Sequence, residues 1–248
     1  MVDLLLWGGL LAVLLISFGP VQMSRIGLAF TNSANMREFG SEFLHPDLAN
    51  WPSYVAQMWL TIQIALWGTF LALVIAVPFG LACARNISPI WLQQPMRILM
   101  NVLRAAPDLV IGVVFIVAVG IGPLSGVLAL AVNTGGVLAK LFSEAVEAID
   151  PRPVEGVRAT GATRLQEILW GVIPQVGPLW TSYGLYRFES NARSATVLGL
   201  IGAGGIGQTL FQSLQSFNFS AVSAISIVII VAVSLIDLLS QAMRKRLI

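Results

Sequence analysis

Four polar residues stand close together in the run YRFESNARSA, residues 186–195: Arg187, Glu189, Asn191 and Arg193. On a helix, side chains four positions apart are neighbours, which would pair Glu189 with Arg193 and bring Arg187 near Asn191. One interpretation is an ion pair that holds the helix in place. The other is a cationic lining for an anionic solute, because the planar guanidinium fork suits oxyanions. The sequence leaves both open.

A second candidate for chemistry is the glycine-rich run VLGLIGAGGIG, residues 197–207. Gly202, Gly204 and Gly207 have the spacing of a dinucleotide-binding fingerprint, which requires a surrounding βαβ unit and an acidic residue about 20 positions later. Residues 208–236 contain no Asp or Glu. We therefore expect these glycines, together with Gly205, to shape a bent or re-entrant segment between membrane spans. A membrane oxidoreductase that uses GAGGIG is the alternative.

The composition decides the class of protein in which these residues must work. Charged residues make up 10% of the chain and hydrophobic residues 56%, with a mean hydropathy of +0.83, whereas soluble domains are about 25% charged. We predict an all-α integral membrane protein in contact with the lipid bilayer. Cys83 and His45 are the single residues of their types, and no catalytic or metal-binding motif is present. The sequence therefore predicts no enzymatic activity, no metal site and no nucleic-acid partner.

Six membrane spans are expected from stretches of about 20 mostly apolar residues. They form a single transmembrane domain, residues 1–248. Basic residues concentrate on the side that carries the chain ends, which predicts that the polar segment 143–172 is cytoplasmic. The predicted spans are 4–19, 54–84, 98–119, 124–142, 173–190 and 219–240.

The cytoplasmic segment encodes two short helices. Asp150, followed by proline, marks the start of the first, and Gly161 marks its end. Thr163 and Gln166 have the spacing of a capping box for the second helix, and Pro174 follows where the fifth span begins. The second helix has an apolar stripe that is expected to lie on the membrane-side helices, while Arg164 and Glu167 face water. The stripe comprises Leu165, Ile168, Leu169, Val172 and Ile173. The pair of helices is either a plain hairpin or an element that a cytoplasmic partner pushes.

The spacing Glu155-Gly156-Val157-x-x-x-Gly161, then nine residues, then Gly171-Val172-Ile173-Pro174, resembles the EAA motif of ABC-importer permeases. Glu155, Gly161 and Pro174 fall on motif positions. The resemblance implies a coupling helix seated in a groove of a cytoplasmic ATPase dimer, which binds ATP and Mg²⁺ while this chain binds no cofactor. The residues expected to couple to that ATPase are Glu155, Gly156, Arg158, Ala159, Thr160, Gly161 and Pro174.

Three further segments, 133–150, 153–163 and 186–210, resemble the permeases of phosphonate, phosphite and hypophosphite importers. The resemblance implies the type I importer fold in the bacterial inner membrane, a second permease subunit that is identical, and a periplasmic phosphonate-binding protein. It also places the GAGGIG segment near the outer mouth. The expected path or gate residues are Arg187, Glu189, Asn191, Arg193, Gly202, Gly204, Gly205 and Gly207. A permease for another small solute, such as methionine, is the alternative within transport.

Overall fold

The computed structural model describes residues 2–27, 37 and 40–246, and the side chains of the first helix from residue 6 onward. The chain divides into two compact units, residues 1–46 and 47–248. The first unit contains helix α1 (Val2–Ser17), which is apolar apart from Asp3 and Ser17, and a short 3₁₀ helix (Met23–Gly27).

The second unit is helical throughout its regular structure. Its helices are α2 (Trp51–Cys83), α3 (Ile90–Ala105), α4 (Asp108–Val119), α5 (Pro123–Glu147), α6 (Pro151–Ala159), α7 (Arg164–Gln166), a π-helical segment (Glu167–Val172), α8 (Ile173–Gly199), α9 (Ile206–Gln215) and α10 (Phe219–Arg244). Within the described residues, α2, α5 and α10 are each long and apolar enough to cross a membrane. The bent pair α3–α4 also passes as one broken span. The chain is thus a multi-pass membrane protein, and the count of six spans stays a prediction.

The third predicted span, residues 98–119, is not one straight helix. Helix α3 ends at Ala105 and α4 begins at Asp108, with their axes bent by 94°. Pro107 explains the break, because proline lacks a backbone N–H and disfavours helical geometry in the residue before it. Ala106 accordingly has an extended backbone, with ψ at 130°.

Helices α2 and α5 pack closely along their length because small residues line their contact. A Cβ atom added to Gly68 would lie 2.7 Å from Cβ of Leu130, and one added to Gly80 would lie 2.7 Å from Cβ of Phe142. Small residues let helix backbones approach closely in membranes, where dispersion contacts replace the hydrophobic effect as the source of stability. This pair forms the frame against which α8 packs through buried residues such as Trp180.

Helix α8 continues past the predicted end of the fifth span at residue 190 and ends at Gly199. The sequence Asn191–Leu198 contains neither proline nor glycine, so nothing local interrupts the helix there. As a result, the polar residues 187–193 lie inside the helix and not at its outer end.

Candidate functional site

The hairpin of residues 150–172, predicted to be cytoplasmic, has the local structure that its sequence predicts. Helix α6 begins after Asp150, whose carboxylate accepts a hydrogen bond from the backbone N–H of Arg152 at 3.0 Å. The elbow follows at Gly161, which has a φ of +80°. Thr163 and Gln166 form the predicted capping box at the start of α7. Each of these features is set by neighbours in the chain, and all three predictions are confirmed.

The predicted amphipathic second helix differs in the structure. Only Arg164–Gln166 is α-helical, and the π-helical segment continues it to Val172. Val172 is buried, but Leu165 and Leu169 are 66% and 50% exposed, so the apolar stripe is only partly covered by this chain. The prediction that the whole stripe packs on the membrane-side helices is therefore wrong within the single chain.

Glu167 was expected to face water, and this prediction is also wrong. Its carboxylate accepts two hydrogen bonds from the Arg158 guanidinium, at 2.8 and 3.0 Å, and its side chain is only 13% exposed. Hydrogen bonding to Arg158 holds the pKa of Glu167 below its usual range, and the same contact raises the pKa of Arg158. The pair is therefore ionised at neutral pH and fastens α6 to the π-helical segment.

The outer surface of the elbow is an open groove of about 710 Å³. Glu155 is exposed and lines a separate, smaller cleft of the hairpin. The inner side of α6 packs at Gly171, where an added Cβ would lie 3.0 Å from Cα of Val154. The hairpin is thus firmly seated on one side and open on the other, as a docking element requires. The groove is lined by Pro153, Gly156, Val157, Thr160, Gly161, Ala162, Gln166 and Trp170.

Within α8, a buried carboxylate connects two arginines. Glu189 accepts hydrogen bonds from Arg193 at 2.7 Å and from Arg244 at 3.3 Å. The first contact confirms the predicted pair. The second was missed, because Arg244 lies at the end of α10 and no local pattern links it to Glu189. Arg244 also lies over the ring of Tyr186, 5.8 Å from its centroid.

Asn191 does not pair with Arg187 as expected. Its amide donates to the hydroxyl of Thr69 at 2.9 Å and accepts from the hydroxyl of Thr134 at 2.8 Å. All three side chains are buried. Asn191 therefore joins α8 to α2 and α5, and its polar atoms are engaged within the protein.

Arg187 and its surroundings complete the polar group. The Nε atom of Arg187 is buried and has no hydrogen-bond partner among the described residues. Asp108, at the start of α4, accepts a hydrogen bond from Ser194 at 2.8 Å. Arg104 and Asp108 are four positions apart, a spacing that would pair them on a continuous helix. The break between α3 and α4 falls between them, and the ion pairs found in the described part of the chain do not include this pair.

The glycines of GAGGIG form a turn between α8 and α9. Gly202, Gly204 and Gly205 have φ values of +105°, +78° and +73°, which side-chain-bearing residues rarely adopt. The start of α9 is capped by Thr61, whose hydroxyl accepts from the N–H of Ile206 at 2.9 Å. A Cβ atom on Gly205 would lie 2.3 Å from that hydroxyl.

Gly207 has a different role, at the crossing of α9 and α8. An added Cβ atom would lie 1.8 Å from the carbonyl oxygen of Thr196 and 3.0 Å from Cα of Gly199. A helix, not a strand, leads into these glycines. The space that a pyrophosphate would need at the start of α9 is filled by Thr61 and by α8, so the glycines serve close packing and the oxidoreductase alternative has no βαβ unit to support it.

An apolar cavity of about 600 Å³ lies between α2, α5, α8 and the end of α10. Trp180 stacks on Phe142 at its wall, with ring centroids 4.4 Å apart. No charged side chain lines the cavity. Its lining, among the described residues, therefore offers an anion no charged partner.

A multi-pass helical protein with a hairpin that is packed on one side and open on the other, and with arginines inside the long helix α8, fits the permease subunit of an importer. The chain belongs to the family described as "Binding-protein-dependent transport system inner membrane component", whose model matches residues 76–248.

Relatives named for phosphorus compounds are among the most similar proteins. The phosphite transport system permease protein PtxC of Stutzerimonas stutzeri is 38% identical over 82% of this chain and 74% of its own length. The cryptic phosphonate transport system permease protein PhnE2 of Escherichia coli (strain K12) is 62% identical over 49% of this chain and 99% of its own length. The phosphate-import permease protein PhnE of Mycolicibacterium smegmatis is 42% identical over 76% of this chain, but over only 36% of its own length.

Solved structures establish the fold. The MetNI methionine ABC transporter in an inward-facing conformation has a chain that superposes with a TM-score of 0.69 at 22% identity, over 78% of this chain and 95% of that one. This likeness confirms the type I importer permease fold, and at this identity it carries no information on the solute.

Proposed function

We propose that this chain is the permease subunit of an ATP-driven importer for small phosphorus oxyanions, of which phosphonate, phosphite and hypophosphite are the leading candidates. It receives the solute from a periplasmic binding protein and releases it into the cytoplasm. A second, identical permease chain and a cytoplasmic ATPase dimer, which binds ATP and Mg²⁺, complete the transporter in the bacterial inner membrane. The chain itself catalyses no bond chemistry. The names of the relatives support the solute class.

The observation that carries the coupling assignment is the hairpin built around Gly161. Its inner side is held by the Arg158–Glu167 ion pair and the Gly171–Val154 contact, while its outer groove is open. An ATPase subunit that binds this outer face of the hairpin would move α6 and the π-helical segment as one body. The segment continues directly into α8 at Ile173, so the motion would reach the helix that carries the arginines.

The solute path is proposed to pass beside Arg193 and Arg187. The Arg193 side chain is 51% exposed although its partner Glu189 is only 8% exposed. The guanidinium can therefore keep its bond to Glu189 and still present donors to an anion. Guanidinium donors match the oxygens of phosphorus oxyanions better than a point charge does.

Replacing Gly161 with valine tests the coupling assignment. A Cβ atom at this position meets nothing within 4 Å, so only the positive φ opposes the change. A left-handed L-residue costs about 1–2 kcal/mol, and a β-branched one more. We expect Gly161→Val and the charge reversal Glu155→Arg to leave membrane abundance near normal and to abolish solute-stimulated ATP hydrolysis in proteoliposomes. Gly161→Asn is the control, because asparagine tolerates this conformation. Normal stimulation in both test variants would contradict the assignment.

The solute class is tested with the whole importer. Calorimetry on the binding protein and uptake into proteoliposomes would be measured with methylphosphonate, phosphite, hypophosphite, phosphate and methionine. We expect binding and uptake of at least one reduced or carbon-bonded phosphorus anion, and none of methionine. Methionine as the preferred solute would overturn the proposal, and a preference for phosphate would move the assignment to phosphate import.

A further inference from the structure

The coupling hairpin is connected to the membrane helices at two places. One is its direct continuation into α8 at Ile173, and the second is a junction with α3 and α5. It centres on Glu147, the last residue of α5. The Glu147 carboxylate accepts a hydrogen bond from the Arg97 guanidinium of α3 and another from the backbone N–H of Arg85 at 2.8 Å. Both side chains of the ion pair are mostly covered, with exposures of 26% for Glu147 and 16% for Arg97.

The loop 84–89 between α2 and α3 is fastened at the same place. Arg97 also donates through Nε to the carbonyl oxygen of Cys83 at 2.8 Å, and Asn86 donates to the carbonyl oxygen of Val146 at 2.7 Å. One hydrogen-bonded unit therefore joins the loop and the end of α2 to the middle of α3 and the end of α5.

The coupling hairpin touches this unit directly. Arg164, the first residue of α7, donates a hydrogen bond to the carbonyl oxygen of Ile87 in the loop. A narrow cleft of about 150 Å³ separates the loop from α6, with Asn86 and Ile87 among the lining residues on one side and Glu155 and Arg158 on the other. A displacement of the hairpin thus reaches the loop directly through the Arg164–Ile87 hydrogen bond.

This hydrogen-bonded unit is connected through α3 to the break between α3 and α4. Helix α3 stays against α5, since a Cβ atom on Gly136 would lie 3.1 Å from Cβ of Leu103, and Asn133 donates to the carbonyl oxygen of Ala106 at 3.0 Å. Beyond the break, Asp108 of α4 is bonded to Ser194 of α8. Motion of α3 and α5 together would be absorbed at the break between α3 and α4.

We propose that the Glu147–Arg97 pair is a second coupling junction, which positions the loop 84–89 so that movement of the hairpin is passed to α3 and α5. Glu147 is a positioning residue, because it touches neither the solute path nor the outer groove of the hairpin. The proposal rests on the proposed function, in which an ATPase drives the hairpin. It adds a route to the α3–α4 break that the direct connection into α8 does not provide.

The test uses the complete importer in proteoliposomes and compares Glu147→Leu with Glu147→Gln. Leucine removes both acceptor bonds, whereas the glutamine oxygen can still accept from Arg97 and Arg85. We expect Glu147→Leu to lower solute-stimulated hydrolysis and uptake about tenfold, the order expected for a lost charge-assisted hydrogen bond. Glu147→Gln is expected to fall between this variant and the wild type. Basal hydrolysis and copurification of the ATPase should stay near the wild-type level in both.

Glu144→Leu is the matched control, because Glu144 lies one turn earlier on α5 and pairs only with Lys140 at 3.1 Å on the same helix. Glu144→Leu should leave solute-stimulated hydrolysis unchanged.

Wild-type stimulation of hydrolysis in Glu147→Leu would overturn the proposal. Loss of the ATPase from the complex in this variant would also overturn it, because it would indicate a role in docking and not in transmission. If Glu147→Leu lowers the amount of permease, Arg97→Lys and Arg97→Gln replace it, and equal stimulation in these two would overturn the proposal. Failure of the proposed function is distinguishable, since Gly161→Val would then also retain stimulation.

Discussion

Replacing Gly207 with alanine is expected to remove most of the folded permease from the membrane. The added methyl carbon would lie 1.8 Å from the carbonyl oxygen of Thr196, less than any real carbon–oxygen contact. The obstacle is backbone, so no side-chain rotamer can relieve it, and α9 would have to move away from α8. Over-packing of this kind costs about 3 kcal/mol or more.

The measurement is the melting temperature of the purified permease together with its abundance in the membrane. Gly156→Ala is the matched control: Gly156 also lies in a helix, but a Cβ atom there meets nothing within 4 Å. Alanine in an exposed helix is better than glycine by about 0.5–1 kcal/mol, so the control should be as stable as the wild type or slightly more so. A Gly207→Ala protein with wild-type stability would show that the backbones of α8 and α9 leave room for a Cβ atom at position 207.

The glycine-rich segment shows how far sequence could predict this part of the molecule. From sequence, the spacing of Gly202, Gly204 and Gly207 matched a dinucleotide site and the missing acidic residue counted against it, so the oxidoreductase alternative stayed open. The structure adds that a helix, not a strand, leads into these glycines. The positive φ values at Gly202 and Gly204 follow from a turn between two helices. The contact of Gly207 with Thr196 depends on how α9 folds back over α8, and no local pattern encodes that.

The hairpin of residues 150–172 was predicted well where its structure is local. The Asp150 cap, the Gly161 elbow and the Thr163–Gln166 capping box depend on residues within one turn of each other. The Arg158–Glu167 pair was missed because its partners lie in two different elements that meet only after the chain has folded at the elbow. The same reason applies to Arg97 and Glu147, which are far apart in sequence.

Pro107 lies at the break in the third predicted span, but the sequence does not show how sharply the chain bends there. Pro107 makes a helix boundary predictable, but the 94° bend between α3 and α4 is a tertiary feature. Asn133 holds the end of α3, and Ser194 holds the start of α4. An Arg104–Asp108 pair would have required a continuous helix.

The buried carboxylate of Glu189 changes how the arginines of α8 have to be tested. From sequence, exchanging Glu189 and Arg193 would separate a structural pair from a solute lining, because a reversed pair keeps its energy. The structure adds Arg244 as a second partner of Glu189 at 3.3 Å. The exchange would place an arginine at position 189 against Arg244, so it should fail under either interpretation. A test has to remove the two arginines one at a time.

Arg193→Gln and Arg244→Gln are therefore expected to differ in transport although each removes one partner of Glu189. Either variant leaves the carboxylate bonded to the other arginine. Arg193 is half-exposed, so its replacement should cost about 1 kcal/mol of stability. Arg244 is more covered and also contacts the Tyr186 ring, so its replacement should cost at least as much. The Arg193 side chain is 51% exposed and that of Arg244 only 23% exposed. If Arg193 contacts the passing anion, its loss should lower uptake per assembled complex about tenfold or more, as for a hydrogen bond between charged groups.

Arg244→Gln should retain most uptake, and Arg193→Lys should retain part of it, because lysine keeps the charge without the planar fork. Equal loss of uptake in the two glutamine variants, at equal melting temperature, would assign the three residues to a structural cluster and remove Arg193 from the solute path.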